Sequence, residues 1–572
     1  MFFPTLKPAD LRRVTMDVFP GLDRRESAEP GGLREMENLS SDGYPTLSTR
    51  PLRGLMQTLQ APNGLLCKDC LYWVDGTQLY ANGLAVGPTL TSGEKQLVSM
   101  GAYLIIFPDG VYINTQNTAE YGTLACTRTV SAGASITLCR ADGTAYTGTV
   151  ESTTAPEDPA EGALWMDVSE SVPVLRQYSQ QVWTALADVC VKVSATGIGT
   201  GFAAGDGVTV SGCDTARLNG LTVLEGAGAD WVIFPGIVPH TVTQSAAITV
   251  KREVPAMDFI VQSGNRLWGC KYGMVDGAPV NEIYASKLGD FKNWNCFAGL
   301  STDSYAAQRG SDGAFTGAVS FLGNPIFFKE RCMERVYASG QGAHQIVTTE
   351  CAGVQSGSHK SLQVVGGVLY YLASDGVQAF DGSLPVTVSA ALGEAKYHAG
   401  VGGAWQEKYY LSALDSTQQP SLFVYDSGRK LWHREDSLRG TCFASDESDL
   451  YCLASNGQLW SLHAASGTPE SSLSWTAESG DLGMQLPARK RLMQLLLYVQ
   501  AGSGASVTAS VSYNRGATWQ AQGTVYGNGS IREQVLAIRP KQCRRLRLRL
   551  SGQGACRLYA LTAVYEKGSD GL

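Results

Sequence analysis

Histidine is nearly absent. The 572 residues hold six, His240, His344, His359, His398, His433 and His463, and no two are spaced to put a ligand pair on one face. The HExxH pattern of zinc hydrolases is therefore excluded. Charge is thin as well: 17% of the residues are charged and the net charge is −7, which argues against tight wrapping of nucleic acid through many phosphate contacts. No stretch keeps the periodicity of a long helix, "AALGEAKYH" at 390–398 being the one short candidate. No run nears the roughly 18 apolar residues needed to span a bilayer. The opening "MFFPTLKPADLRR" lacks the apolar core of a secretion signal. The expectation is a protein made in a reducing cytoplasm, its fourteen cysteines mostly free, buried thiols.

Chemical motifs are missing too. Cys67 and Cys70 stand at CxxC spacing with no second CxxC and no following helix, so two buried thiols are expected rather than a zinc or redox site. "GIGTGFAAGDG" lacks both GxGxxG and the P-loop lysine and reads as β-turns. No GxSxG is present. Ser311-Asp312-Gly313 and Asp381-Gly382-Ser383 carry loop oxygens without EF-hand spacing. No catalytic residue, cofactor or metal ligand is named on this basis, and the chain is read as a protein that is not an enzyme.

What the chain has is glycine, 65 residues of it, and short aromatic strands. "LYYLASDG" at 369–376 is matched by "LYCLASNG" at 450–457. Looser copies stand at 71–83, 104–113 and 259–273, each with Asp-Gly or Gly-Asn between two apolar runs. Such dipeptides tolerate positive φ and close tight hairpins. An α/β enzyme would need amphipathic helices between these strands. The chain is therefore all-β. The first two copies start 81 residues apart (450 minus 369), which is two propeller blades of about 40–45 residues. Tandem β-sandwiches would show no such interval. The expected architecture is a β-propeller of about six blades with an inserted small β domain and a C-terminal β-sandwich.

Composition places the boundaries. Residues 1–54 are rich in charge and proline and read as an extended N-terminal arm with few strands of its own. Residues 55–121 begin the propeller, 122–253 form a Thr-, Ala- and Gly-rich β module, 254–465 complete the propeller, and 466–572 carry long alternating strands. In the arm, Leu33, Met36, Leu39 and Tyr44 are spaced to bury against the propeller or a neighbouring subunit. In "CRRLRLRLSG", Arg545, Arg547 and Arg549 alternate with leucines, and "LPARKRLMQ" adds Arg489, Lys490 and Arg491. These cations are either a solvated outer face or a basic patch for an acidic protein partner or DNA backbone.

Several of these stretches resemble tail nozzle, or tail hub, proteins of tailed, short-tailed bacteriophages, of the type that stabilises packaged DNA. "SGNRLWGCKYG" with "NEIYASKLGDFKNWNCF", "GNPIFFKERCMERVYASG" and "VVGGVLYYLASDGVQAFDGSLP" are similar to successive blades of that family. "GLREMENLSSDGYPTLSTRP" is similar to its opening, and the terminal "ESGDLGMQLPARKRLMQ…YEKGSD" to its terminal sandwich. The resemblance implies a structural virion protein made in the host cytoplasm and resident in the tail. It implies a homo-oligomeric ring, a hexamer, below the portal and adaptor proteins, contacting other tail proteins. Phage DNA would pass through its lumen without sequence-specific binding. The alternatives are a receptor- or glycan-binding propeller of the tail tip and a surface-polysaccharide hydrolase. The 122–253 module is not part of the resemblance.

Overall fold

The computed structural model describes residues 10–26, 31–131, 133–338, 344–483 and 488–567. Pro30, Leu486, Pro487 and the last five residues, which belong to stretches singled out above, lie outside them. The described residues form strands and three single-turn 3₁₀ segments, Ala216–Leu218, His359–Ser361 and Ala390–Leu392. None of their helices is long and apolar enough to cross a membrane.

Among the described residues seven antiparallel sheets make the blades of a propeller, six of them four strands in sequence order. Blades 1 to 6 span 62–86, 96–123, 259–308, 315–350, 363–387 and 397–434. Blade 7 takes three strands from 440–461 and its fourth from Gly54–Thr58, with Thr468–Pro469 beside it. The innermost strands touch their neighbours around the ring, with His359–Ser361 bridging blades 4 and 5. In blade 7, Gln458 pairs with Thr58 and Ser461 with Gly54, so the two ends of the propeller sequence share one sheet. A closed ring leaves no inner blade face exposed.

The count corrects the expectation of about six blades. The first two occupy only 62–86 and 96–123. Two-residue hairpins make a blade far shorter than the roughly 40–45 residues assumed. Asn82–Gly83 of blade 1 (φ +47° and +88°), between the paired Ala81 and Leu84, is such a turn, with both central residues left-handed as the right-handed strand twist requires. The repeated octapeptides also find their reason. "LYYLA" lies on the second strand of blade 5 and "LYCLA" on that of blade 7, and every residue from Leu369 to Ala373 and from Leu450 to Ala454 is buried. A second strand has sheet on both sides and a blade against each face, so its sequence is a continuous apolar run. One detail differs: Ala373 pairs with Gly376, so the turn is Ser374–Asp375 and Gly376 opens the next strand.

Between blades 2 and 3 the chain leaves the ring. Strands Cys126–Val130 and Ile248–Arg252, the way out and the way back, pair antiparallel with Cys126 opposite Arg252. The outer strand of blade 2 is Tyr121–Thr123, so the module starts a few residues after 122. Its four- and five-stranded sheets share a core that includes Ile136, Val193, Val210 and Phe234. A third sheet, over 149–185, has its own small core of Leu164, Met166 and Leu175. The module is fastened to blade 3 through the Gly207 N–H on Asn293 Oδ1 (2.9 Å) and the Asn293 amide on Asp206 Oδ1 (3.2 Å).

Residues 474–567 form most of two further antiparallel sheets that bury Trp475, Leu497, Val507, Leu548 and Leu561 in one core. The N-terminal segment completes both sheets. Leu11–Met16 pairs with Cys556–Lys567, Leu33–Glu37 with Ser474–Ser479, and Leu47–Thr49 again with Cys556–Lys567. The expected arm with few strands is thus corrected: the segment is a set of strands whose partners lie at the opposite end of the sequence. Its apolar residues were drawn there by a core that the C-terminal strands cannot close alone.

Candidate functional site

A cavity of about 210 Å³ lies on the propeller axis, lined from every blade by Leu65, Leu97, Phe259, Ala318, Gln363, Gly402 and Phe443. Beside it the turns that enter blades 2 and 5 and the first strand of blade 7 bring together four chemically active side chains. Lys360 Nζ sits 2.8 Å from Glu94 Oε1, donates to the Thr441 carbonyl at 3.0 Å and lies 3.3 Å from Cys442 Sγ. His359 Nε2 is 3.6 Å from the same carboxylate oxygen, and its ring lies 5.2 Å from that of Phe259. The His359 ring and the Lys360 ammonium hold the Glu94 carboxyl down to about 2. Burial draws Lys360 down, but the Cys442 sulfur and the Glu94 carboxylate outweigh it and raise its pKa. Sequence reasoning saw His359 as isolated and passed over Glu94, Lys360 and Cys442. No local motif joins residues that come from three blades.

The cluster gives an ammonium flanked by a carboxylate and a sulfur at the edge of a cavity open to solvent. The described residues lining the cavity include no Asp or Glu. The usual glycosidase arrangement of two carboxyl groups about 5–10 Å apart is not assembled there. Among the described residues no three His, Cys, Asp or Glu side chains are grouped to hold a metal ion. Cys67 and Cys70 are half-buried, not buried as expected, and burial lifts the Cys67 thiol to about 11.

The sequence-singled cations separate into three environments. Leu546, Leu548 and Leu550 face the core, as the alternation requires. Arg547 is buried with Nε 2.7 Å from Asp481 Oδ1, and Arg549 pairs with Glu478 and covers the Trp519 ring at 4.1 Å. Arg547 and Arg549 therefore do not form a free basic face. Buried Lys490 donates to the Arg544 carbonyl at 2.6 Å. Arg491 pairs loosely with Glu566 at 3.6 Å, and Arg489 is exposed. Arg545 remains at the surface, 3.7 Å from Asp481. In the N-terminal segment Leu33, Met36 and Leu39 are buried, whereas Tyr44 is exposed, with the Arg429 guanidinium 5.9 Å above its ring.

The same segment meets blade 6 through a buried ionic clasp that sequence reasoning missed. Arg53 donates to Glu435 Oε2 (2.7 Å) and Asp436 Oδ2 (2.6 Å), and Arg50 to Glu470 Oε2 (2.8 Å). Lys408 pairs with Asp42. His433 is enclosed there, both ring nitrogens without a hydrogen-bond partner among the described residues, and burial lowers its pKa to about 4.

No protein-family model and no curated protein sequence matches the chain. Solved structures do match. One is an exo-β-1,3-galactanase from Phanerochaete chrysosporium with galactose, at 11% identity over 53% of this chain and 94% of that one, with a TM-score of 0.21. Another is a glycoside hydrolase family 43 arabinoxylan arabinofuranohydrolase from Bacillus subtilis in complex with cellotetraose, at 9% identity over 56% of this chain and 96% of that one, TM-score 0.21. Against the expectation that the chain is not an enzyme, the matching structures are glycoside hydrolases.

Proposed function

We propose that the chain is a structural subunit of a bacteriophage tail, one of several copies in a ring below the portal and adaptor that extends and closes the DNA exit channel. The observation that supports this reading is where the tail-like segments fall. "SGNRLWGCKYG" with "NEIYASKLGDFKNWNCF", "GNPIFFKERCMERVYASG" and "VVGGVLYYLASDGVQAFDGSLP" coincide with blades 3, 4 and 5, three consecutive units of one ring. The axial cavity of about 210 Å³ cannot admit a duplex whose major groove alone is about 12 Å wide. On this reading the DNA lumen is enclosed by several copies around a common axis, and the propellers are its wall. The test is mass measurement and imaging of the chain co-expressed with portal and adaptor. A closed ring of about six copies is expected. A chain that stays monomeric beside those partners overturns the reading.

A second reading, action on a surface polysaccharide, has its own observation in the Glu94, His359, Lys360 and Cys442 group at the axial cavity, a usual place for a ligand. Incubation with bacterial surface polysaccharides, with release of reducing ends as readout, tests it. Loss of that release in Glu94→Gln supports it, and no release from any polysaccharide removes it.

A further inference from the structure

Six of the chain's 45 lysines and arginines fall within the eleven residues "RPKQCRRLRLR" at 539–549, with no acid among them. Folding divides these cations. Arg547 and Arg549 turn to Asp481 and Glu478. Lys541, Arg544 and Arg545 instead line a cleft of about 360 Å³ with Arg515 from a neighbouring turn. Asp481 is the one carboxylate lining it among the described residues. That carboxylate is already committed to Arg547 at 2.7 Å, and Arg515 and Arg545 stand off at 3.8 and 3.7 Å. These outer distances exceed a hydrogen bond, so most of their N–H donors are unspent. Arg544 has no ion pair among the described residues, and its backbone carbonyl is held by Lys490. The Lys541 ammonium lies 5.3 Å over the Tyr513 ring, which forms one wall.

We propose that this cleft binds the phosphodiester backbone of a nucleic acid. Three guanidinium forks and an ammonium around one shared carboxylate leave a local excess of positive charge in a chain whose net charge is negative. A phosphodiester is permanently ionised, offers two free oxygens to planar forks and recurs at regular spacing along the polymer. Neighbouring forks are filled together, and each contact releases counterions. A carboxylate on a flexible peptide side chain fills one fork and must be ordered each time. The cleft offers no built pattern of base-edge donors and acceptors, so recognition is of backbone and not of sequence. The inference stands on this side-chain geometry whichever function the whole chain has.

The experiment is fluorescence anisotropy of the full chain with labelled single- and double-stranded DNA of about 20 nucleotides, titrated between about 50 and 200 mM salt. The comparison is with Arg544→Glu/Arg545→Glu, both exposed, and with Lys396→Glu as a control on a distant loop. Arg515→Glu, on a separate turn, serves if the double variant does not fold by circular dichroism. Affinity should fall at least about tenfold in the cleft variants, with the salt slope reduced by about two for the double variant, and stay unchanged in the control. Equal binding by the cleft variants, no binding by the wild-type chain, or competition by polyglutamate or inorganic pyrophosphate as effective as by unlabelled DNA each overturns the proposal.

Discussion

At the scale of single residues, the chain's stability is most exposed to pH at the clasp between the N-terminal segment and blade 6. His433 has a folded pKa near 4, below its ordinary value of 6.5. As pH falls through that window the unfolded chain binds a proton that the folded chain refuses, so stability is lost on acidification, by about 3 kcal/mol at most. Asp436 and Glu470 also have lowered pKa values: burial raises them, but the charges of Arg53 and Arg50 outweigh it. Their contribution is present above the ordinary carboxylate range and is lost as pH drops below it. Denaturant midpoints measured at pH 7, 5.5 and 4 should fall steadily, and His433→Phe should flatten the upper part of that decline. Arg53→Ala strands Glu435 without its partner and leaves Asp436 only Arg50, at 3.8 Å, and is expected to cost about 3 kcal/mol, read from the same midpoints.

At the scale of elements, one strand decides whether the ring closes. Gly54–Thr58 is the only part of blade 7 that comes from the start of the propeller sequence, and Leu55 pairs with Trp460. Leu55→Pro removes a ladder donor there and should destabilise by about 3 kcal/mol or more. Hydrogen exchange should accelerate first in blades 7 and 1, while blades 3 and 4 stay protected. Strand Leu33–Glu37 makes a second test, because its pairing with Ser474–Ser479 holds Leu33 and Glu35 on either side of Arg34, which sits at a bulge. Trypsin should cut at Arg34 only after global unfolding, and rapid native-state cleavage would contradict the pairing. The inserted module makes a third. Its connecting strands lie side by side at Cys126 and Arg252, so replacing 126–252 by a short Gly-Ser bridge should leave a propeller that still unfolds cooperatively. Leu124, fully buried with blades 2 and 3, is retained in that variant. An aggregated product would mean that the contacts at Asn293 hold blade 3 in place.

At the scale of the whole molecule, one chain joins a closed ring, an inserted module and a two-sheet platform whose strands come from both ends of the sequence. That platform shares its core with blades 5 and 6, through Leu372, Tyr409, Phe423 and Trp432. Propeller and platform are therefore expected to move as one body, with a single thermal transition by calorimetry once the module is removed. Two separated transitions would show that the shared core is weaker than its burial suggests.

The sequence by itself determined the strands. Tight-turn dipeptides between short apolar runs dictate hairpins, the repeated octapeptides mark equivalent second strands two blades apart, and the alternation of Leu546, Leu548 and Leu550 with arginines places one face in a core. All of these are local, set by φ/ψ preference and by a period of two. Tertiary structure alone decided the rest. The blade count depends on how few residues a tight hairpin needs, the fate of the N-terminal segment on partners more than 400 residues away, and the axial cluster on side chains from three blades. The cations at 545, 547 and 549 have the same chemistry and the same spacing, yet Asp481 and Glu478 bind two of them and leave the third at a cleft. A sequence displays charge and periodicity, whereas a binding site depends on which opposite charges the fold has already placed within reach.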